Sequence, residues 1–305
     1  MKLKVIINPA AGRGKSIVRW KAAEQALRKL EIPFVSYVSG SKEHVGQLAA
    51  SAAAEGYQAI MSVGGDGTLN EIVNGIAGSG SGDPGRNIPI VVVSTGTGND
   101  FIKSACLPKS IFEEVRLYRD GKPCPVDLGK FGDRYFINAA GIGFDAEVAH
   151  LANTRFGKLR GFLPYALGVL RKMPSFKPVH FKMWLNDLEA EFKAWMVSVS
   201  NGQYYGGGMN VVPGASISDG LLDIGVLGSL GKLEILRLFP KVYSGEHLAN
   251  PKVSVYRTKK VRIEAETVMK IQADGEVYEG QSFEFTVHPG AVQIYMPAVA
   301  NRSDL

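Results

Sequence analysis

Several short stretches of this chain combine glycines with carboxylates or hydroxyls at spacings that could handle phosphate. The first is Gly64-Gly65-Asp66-Gly67-Thr68, set between an apolar run from Ala59 to Val63 and a helical pattern from Leu69 to about Ile76. A strand, a glycine turn and a helix start make an anion site. Glycine lets the backbone come close to a phosphate, and the helix N-terminus points its amides at it. Asp66 needs a separate reason, because a carboxylate repels phosphate. It holds a cation, orients the reacting group, or merely caps the helix, and spacing alone leaves these open.

Two further turns follow strands. Lys2 to Ile7 runs into Asn8-Pro9-Ala10-Ala11-Gly12-Arg13-Gly14-Lys15, and Ile88 to Val93 runs into Ser94-Thr95-Gly96-Thr97-Gly98-Asn99-Asp100-Phe101. Gly12-x-Gly14 lacks the third glycine of a dinucleotide fingerprint, and Gly14-Lys15-Ser16 lacks the P-loop spacing. Each turn alone could be an ordinary βα loop. Three of them after three strands gather at the carboxyl edge of an open sheet, where ligands bind.

Two acidic clusters lie further on. Ser216-Ile-Ser-Asp-Gly-Leu-Leu-Asp223 packs two carboxylates into a turn whose oxygens suit Mg²⁺ or Ca²⁺, or a capped hairpin. In Gln272-Ala-Asp-Gly-Glu276 the two acids are two apart and would share one side of a strand; an Asp-Gly hairpin turn is the alternative.

The elements that must position these residues change character midway. Before Pro125, strands (Pro33 to Val38 is another) alternate with helical patterns at 16–30, 44–55 and 111–120, which argues a parallel sheet covered on both faces. After Gly121-Lys-Pro-Cys-Pro125, strand patterns dominate, with helices only at about 144–152, 162–173 and 231–243. That argues a mainly antiparallel β domain. The expected division is 1–125, 126–297 and a polar tail, 298–305.

The chain has 305 residues, 45% of them hydrophobic, and a net charge of +6, which fits a soluble globular protein with an anionic partner. No nucleic-acid module is recognisable. Cys106 and Cys124 form no metal or disulfide framework and read as free thiols in a reducing cytosol. The N-terminus reads as a strand and not a signal peptide, and no apolar run reaches the ~18 residues of a bilayer span.

Taken together, Asn8-Pro-Ala-Ala-Gly12, Gly64-Gly-Asp-Gly-Thr-Leu-Asn-Glu71, Gly96-Thr-Gly-Asn-Asp-Phe101, Asp219-Gly-Leu-Leu-Asp223 and Asp274-Gly-Glu276 resemble the diacylglycerol kinase catalytic family, in family order from end to end. These are soluble bacterial lipid kinases related to sphingosine and ceramide kinases. The resemblance implies an NAD-kinase-like α/β domain for ATP and a β domain that completes an inter-domain cleft. It carries Asn8, Pro9, Ala10, Ala11, Gly12, Gly64, Gly65, Asp66, Gly67, Thr68, Leu69 and Thr97 onto ATP. Ser39 joins them at a position where the family often has threonine. Ser216, Asp219 and the Leu221 carbonyl match a structural Mg²⁺ site distinct from the ion that accompanies ATP, and Asp100 matches the residue joining that site to the other domain. Asp274 and Glu276 match the catalytic pair, with Glu276 as general base and Asp66 beside them in the catalytic set.

The implied reaction moves a phosphoryl group from ATP to a lipid hydroxyl, with diacylglycerol to phosphatidic acid as the first choice. Phosphatidylglycerol or a sphingoid base are other acceptors. NAD kinase shares the Gly-Gly-Asp-Gly-Thr turn but requires neither Asn8-Pro9 nor Asp274-Gly-Glu276, and a non-catalytic nucleotide or lipid sensor needs no complete carboxylate set. The expected partners are ATP, the lipid, an anionic membrane surface and a second copy of the chain, with no nucleic acid. The expected location is cytoplasmic with peripheral membrane association. That last expectation rests on Thr154 to Pro178, which holds Arg155, Lys158, Arg160, Arg171, Lys172 and Lys177 and no acid. Within it Leu159, Phe162, Leu163, Ala166, Leu167 and Leu170 form one apolar stripe at helical spacing. Such a stripe usually packs on its own core, but a core helix needs no exclusively basic rim.

Overall fold

The structure is a computed structural model that describes residues 2–78, 88–95, 98–157, 159, 163–186 and 188–298. The chain forms two compact units, Met1–Val126 with the C-terminal stretch from Gly290, and Asp127–Pro289. The expected division put all of 126–297 in the second domain. The difference arises because the last strand, β15 (Glu276–Met296), changes partners along its length: its beginning pairs with β14 (Lys260–Ala273), while Ile294 pairs in parallel with Ile90.

In the first unit β1 (Leu3–Ile7), β2 (Phe34–Val38), β3 (Ala59–Gly64) and β4 (Ile90–Ser94) form a parallel sheet in the order β2-β1-β3-β4. β1, β3 and β4 are buried along their whole length, as near-continuous apolar runs are when helices cover both faces. Leu3, Val5 and Ile7 pack with α1 (Lys15–Lys29) and with Val115 of α5 (Ile111–Asp120). On the other face the wholly buried Lys4 sends its amine to Glu55 (2.9 Å) and Ser51 (3.1 Å), just past α2 (Lys42–Ala50). That helix is shorter than the 44–55 pattern, its N-terminus set by the Ser41 hydroxyl, which accepts from the His44 amide. α3 (Asp66–Gly78) lies against α2, where a Cβ on Gly75 would strike the Gly46 carbonyl.

The second unit is antiparallel. β12 (Leu222–Gly228) lies between β13 (Val253–Thr258) and β9 (Leu188–Ser200). β7 (Ala139–Gly143) and β8 (Val179–Leu185) sit end to end between β9 and β14, each pairing with both. β14 is one strand with a register shift between Glu264 and Met269. β6 (Arg134–Phe136), following β5 (Lys122–Phe131), stops before β7 begins. β10 (Tyr204–Tyr205) and β11 (Met209–Asn210) make a small hairpin from the glycine-rich loop. Among the described residues, α6 (Phe144–Thr154), α7 (Leu163–Lys172) and α8 (Lys232–Leu238) pack on this unit, the last continued by a 3-10 turn over Phe239–Val242. They close over a cluster of Phe144, Val148, Val169, Trp195, Ile235 and Leu238.

Candidate functional site

The carboxyl edge of the parallel sheet carries the phosphate-competent turns. Ile7 is level with Val38 and Val63, and Gly64 with Ser94, so the residues after all four strands emerge at one edge. The strand order reverses direction between β1 and β3, a topological switch point of the kind that binds ligands in open α/β sheets. The turns are tied together there. Asn8 donates from Nδ2 to Thr68 Oγ1 (3.0 Å) and accepts from the Ala10 amide (3.1 Å). The Thr95 amide donates to the Gly64 carbonyl at 2.7 Å, and the Ser39 amide donates to the Ile7 carbonyl at 2.8 Å. Gly12 has a positive φ of 56°, and a Cβ there would strike the Thr95 carbonyl oxygen, so glycine is required for the close approach. Behind β4 the buried Glu114 accepts from Ser94 Oγ (3.0 Å) and from Arg19 (2.9 Å), which anchors the turn from below; its burial raises its pKa. Pro9, Ala10, Ala11, Gly65 and Gly67 keep partial or full exposure at this edge. Thr97 lies outside the described residues.

Helix α3 begins at Asp66 and not at Leu69, so Asp66, Gly67 and Thr68 form its first turn, with the Thr68 and Leu69 amides both bonded to the Gly65 carbonyl. Asp66 caps a neighbouring helix. Its carboxylate accepts from the amides of Asp100 (3.4 Å) and Phe101 (3.2 Å), which open α4 (Asp100–Ser104). The residue keeps partial exposure, but its carboxyl group is crowded by protein, and that burial outweighs the two amides and raises its pKa. Asp100 itself is buried in the first turn of α4.

The acids 274 and 276 are not a same-side strand pair. Asp274 (φ 45°) and Gly275 (φ 88°) form the two-residue hairpin turn between β14 and β15, so only Glu276 stands on a strand. The Asp274 carboxylate accepts three backbone amides, from Ile137 (2.7 Å), Asn138 (3.1 Å) and Ala139 (3.2 Å). It therefore holds the break between β6 and β7 in place.

In the 216–223 turn, Asp219 Oδ1 accepts the Leu221 amide (3.1 Å), while Oδ2 lies 3.5 Å from Arg257. The same guanidinium bonds Asp223 (2.8 Å) and the Gly214 carbonyl (3.1 Å), and Asp127 accepts from the Gly220 amide (2.6 Å). Among the described residues no group of three His, Cys, Asp or Glu is placed to hold a metal. Ser216, Asp219 and Leu221 nonetheless offer a hydroxyl, one carboxylate and a carbonyl, and Mg²⁺ commonly takes one or two carboxylates and completes its shell with water. The donor set fits that ion, with Arg257 as its competitor for Asp219.

The second unit also carries a partly open apolar pocket of about 100 Å³. Val148 of α6, Val169 of α7 and Ile235 and Leu238 of α8 line it, with Asp145, Ser198, Tyr205 and His247 as its few polar groups. Asp145, at the start of α6, accepts from Gln272 Nε2 (3.1 Å), and burial pushes its pKa up to about 6. Tyr205 is buried beside it, and burial and the acid raise its pKa well above the usual value. Gly141 makes the room: a Cβ there would strike the Asp145 carboxyl. Sequence reasoning missed Asp145. The signal was available in Gly141-Ile-Gly-Phe-Asp145, a further junction where glycines and an acid separate a strand from a helix.

Comparison with known proteins also divides the chain in two, with the second match running through the end of β15. Residues 2–131 match the diacylglycerol kinase catalytic domain, and residues 138–296 match the YegS C-terminal NAD kinase beta sandwich-like domain. A diacylglycerol kinase of Mycobacterium tuberculosis is 31% identical over 97% of this chain and 95% of its own length. One from Bacillus subtilis is 27% identical over 90% and 89%, and a probable YegS-like lipid kinase of Cronobacter sakazakii is 27% identical over 91% of each. A crystal structure of a diacylglycerol kinase from Bacillus anthracis superposes with a TM-score of 0.76 at 24% identity, covering 97% of both chains, and so shares the fold. The chain belongs to the diacylglycerol kinase family and is a lipid-kinase phosphotransferase.

Proposed function

We propose that this protein transfers the γ-phosphoryl group of ATP to the free hydroxyl of diacylglycerol, releasing ADP and phosphatidic acid. The observation that carries the choice is the apolar pocket with its buried acid. Hydrocarbon wall suits part of an acyl chain, and Asp145 sets a buried carboxyl group at its polar end. The diacylglycerol kinase names of relatives that align over nearly the whole chain support the same substrate.

In this reading Asn8–Gly12, Ser39, Gly64–Leu69 and Thr97 bind ATP, the glycine turns giving backbone amides to its phosphates. Glu276 takes the proton as the lipid oxygen bonds to the γ-phosphorus and the bond to the β–γ bridging oxygen breaks. Asp274 is a positioning residue, because its carboxylate is already committed to three amides. Asp66 keeps its catalytic assignment, orienting the acceptor or the Mg²⁺ that would accompany ATP. Ser216, Asp219 and Leu221 would hold a structural Mg²⁺, whose charge would fix their turn.

The test is a labelled-ATP assay against diacylglycerol, phosphatidylglycerol, sphingosine and NAD. Label should enter phosphatidic acid fastest. Preferential labelling of another acceptor would replace the substrate, and labelling of NAD alone would remove the lipid from the reading. Glu276→Gln should lower kcat while leaving the KM for ATP near wild type; a rise in that KM alone would move Glu276 to nucleotide binding.

A further inference from the structure

The hairpin turn that leads into Glu276 is held from several sides. Asp274 is bonded to the break between β6 and β7 through its carboxylate, and its own amide donates to the Ala139 carbonyl (3.0 Å). Gly275 is held through both of its backbone groups. Its carbonyl accepts from Asn153 Nδ2 near the end of α6 (3.0 Å), and its amide donates to Gln272 Oε1 (3.0 Å). Asn153 is exposed, so water competes for its bond. Gln272 is 4% exposed, and its bond is better shielded.

Gln272 uses the other end of the same amide group on the pocket. Its Nε2 donates to Asp145 Oδ2 (3.1 Å), and Asp145 lines the pocket wall. These two contacts fix which end of the side chain points where. A backbone N–H can only donate, so the oxygen must face Gly275, and the nitrogen is left for the acid. One planar group thus spans from the pocket acid to the residue before Glu276. The neighbouring backbone permits it. Gly141 stands opposite Gln272 in the β7–β14 ladder, and a Cβ there would strike Asp145 Oδ2, the oxygen that accepts from Gln272. A side chain at 141 would push the carboxyl off the amide. Packing alone does not call for glutamine at 272. Methionine fills the same length and has no strongly polar group to satisfy.

We propose that Gln272 is a positioning residue for phosphoryl transfer, fixing the turn that carries Glu276 against the acid in the pocket wall. It acts through Gly275. A base must sit within hydrogen-bond reach of the proton it takes, and a small misplacement of a catalytic group costs much of the rate. The inference rests on the reading of Glu276 as general base.

Variants of the full-length chain test it, by steady-state kinetics with the acceptor that wild type labels fastest and by hydrogen exchange of the hairpin amides. Gln272→Met keeps the length and removes both bonds. It should lower kcat at least about tenfold and speed exchange in the hairpin. The KM for ATP should stay near wild type, because the residues assigned to ATP all lie in the first unit. Gln272→Glu keeps an acceptor for the Gly275 amide but sets a second carboxyl against Asp145, and should also lower kcat. Adding Asp145→Asn to it exchanges acid and amide: the new amide donates to the new carboxylate, whose other oxygen accepts from Gly275. This double variant should regain kcat over Gln272→Glu alone and reach the level of Asp145→Asn, a compensation that lost packing would not give. Wild-type kcat in Gln272→Met overturns the proposal, even where exchange is faster. So does a double variant no more active than Gln272→Glu, and that comparison decides alone if Gln272→Met does not fold. Glu276→Gln is measured beside them. Wild-type kcat there removes the general-base reading, whereas a loss there with wild-type kcat in Gln272→Met removes only the role of Gln272.

Discussion

Replacing Asp145 by asparagine should make this protein more stable and less active, with the stability gain growing as pH rises. Asp145 is 8% exposed, and burial is the first cause of its raised pKa, opposed only in part by hydrogen bonding from Gln272. Hydrogen bonding from Tyr205 opposes it as well, and the net effect moves the carboxyl from 3.8 unfolded to about 6 folded. At about 1.36 kcal/mol per pH unit that shift amounts to about 3 kcal/mol. The sign follows from proton counting. Between these two values the folded state holds the proton more tightly than the unfolded chain, so wild-type stability falls as pH rises from about 4 to about 6 and stays lower above it. Asparagine has the same shape, still accepts from Gln272 and carries no charge. Asp145→Asn should therefore match wild type below pH 4 and exceed it by up to about 3 kcal/mol at pH 7 and above. Urea unfolding at several pH values measures this. Fluorescence of Trp195, which packs 5.2 Å from Phe144 beside the site, reports the second unit. Turnover of diacylglycerol should fall by tenfold or more, the order expected for losing a charged hydrogen-bond acceptor. A difference between variant and wild type that does not change with pH would refute the reasoning, because ionisation of a buried acid would then not be its source.

Three other substitutions test the remaining acids. Asp274→Ala should lower stability by about 3 kcal/mol through three lost amide acceptors and the left-handed backbone, whereas Asp274→Asn, which tolerates that conformation, should cost about 1 kcal/mol; equal losses by denaturant titration would refute the turn geometry. Asp66→Asn should shift the melting temperature by only a few degrees, since one cap acceptor remains, yet lower kcat at least about a hundredfold. Wild-type turnover would leave Asp66 as the cap of α4 and nothing more. Mg²⁺ should raise the melting temperature of wild type in calorimetry and leave Asp219→Ala unmoved; the same shift in both would place the ion elsewhere and leave Arg257 as the cation of that turn.

Much of this molecule could be read directly from local sequence. The apolar runs of β1, β3 and β4, each ending in a glycine or hydroxyl turn, specify buried parallel strands because such runs leave no face for water. The family motifs were equally legible, since phosphate-cradling turns need particular residues at particular spacings. What each acid does was not. Asp66 and Asp274 look like reactive carboxylates in one dimension, but each accepts backbone amides from a segment 34 or more residues away in sequence. A carboxylate's role depends on what its oxygens meet, and long-range contacts decide that. Asp145 looked like an ordinary first-turn helix acid until the fold enclosed it. Likewise the leucine spacing of 163–170 correctly indicated an amphipathic helix, while only packing decided its direction. Periodicity reports that a stripe exists; which side the rest of the protein covers is a property of the tertiary structure, and here Val169 and Met173, not Leu163 and Leu170, were turned to the core.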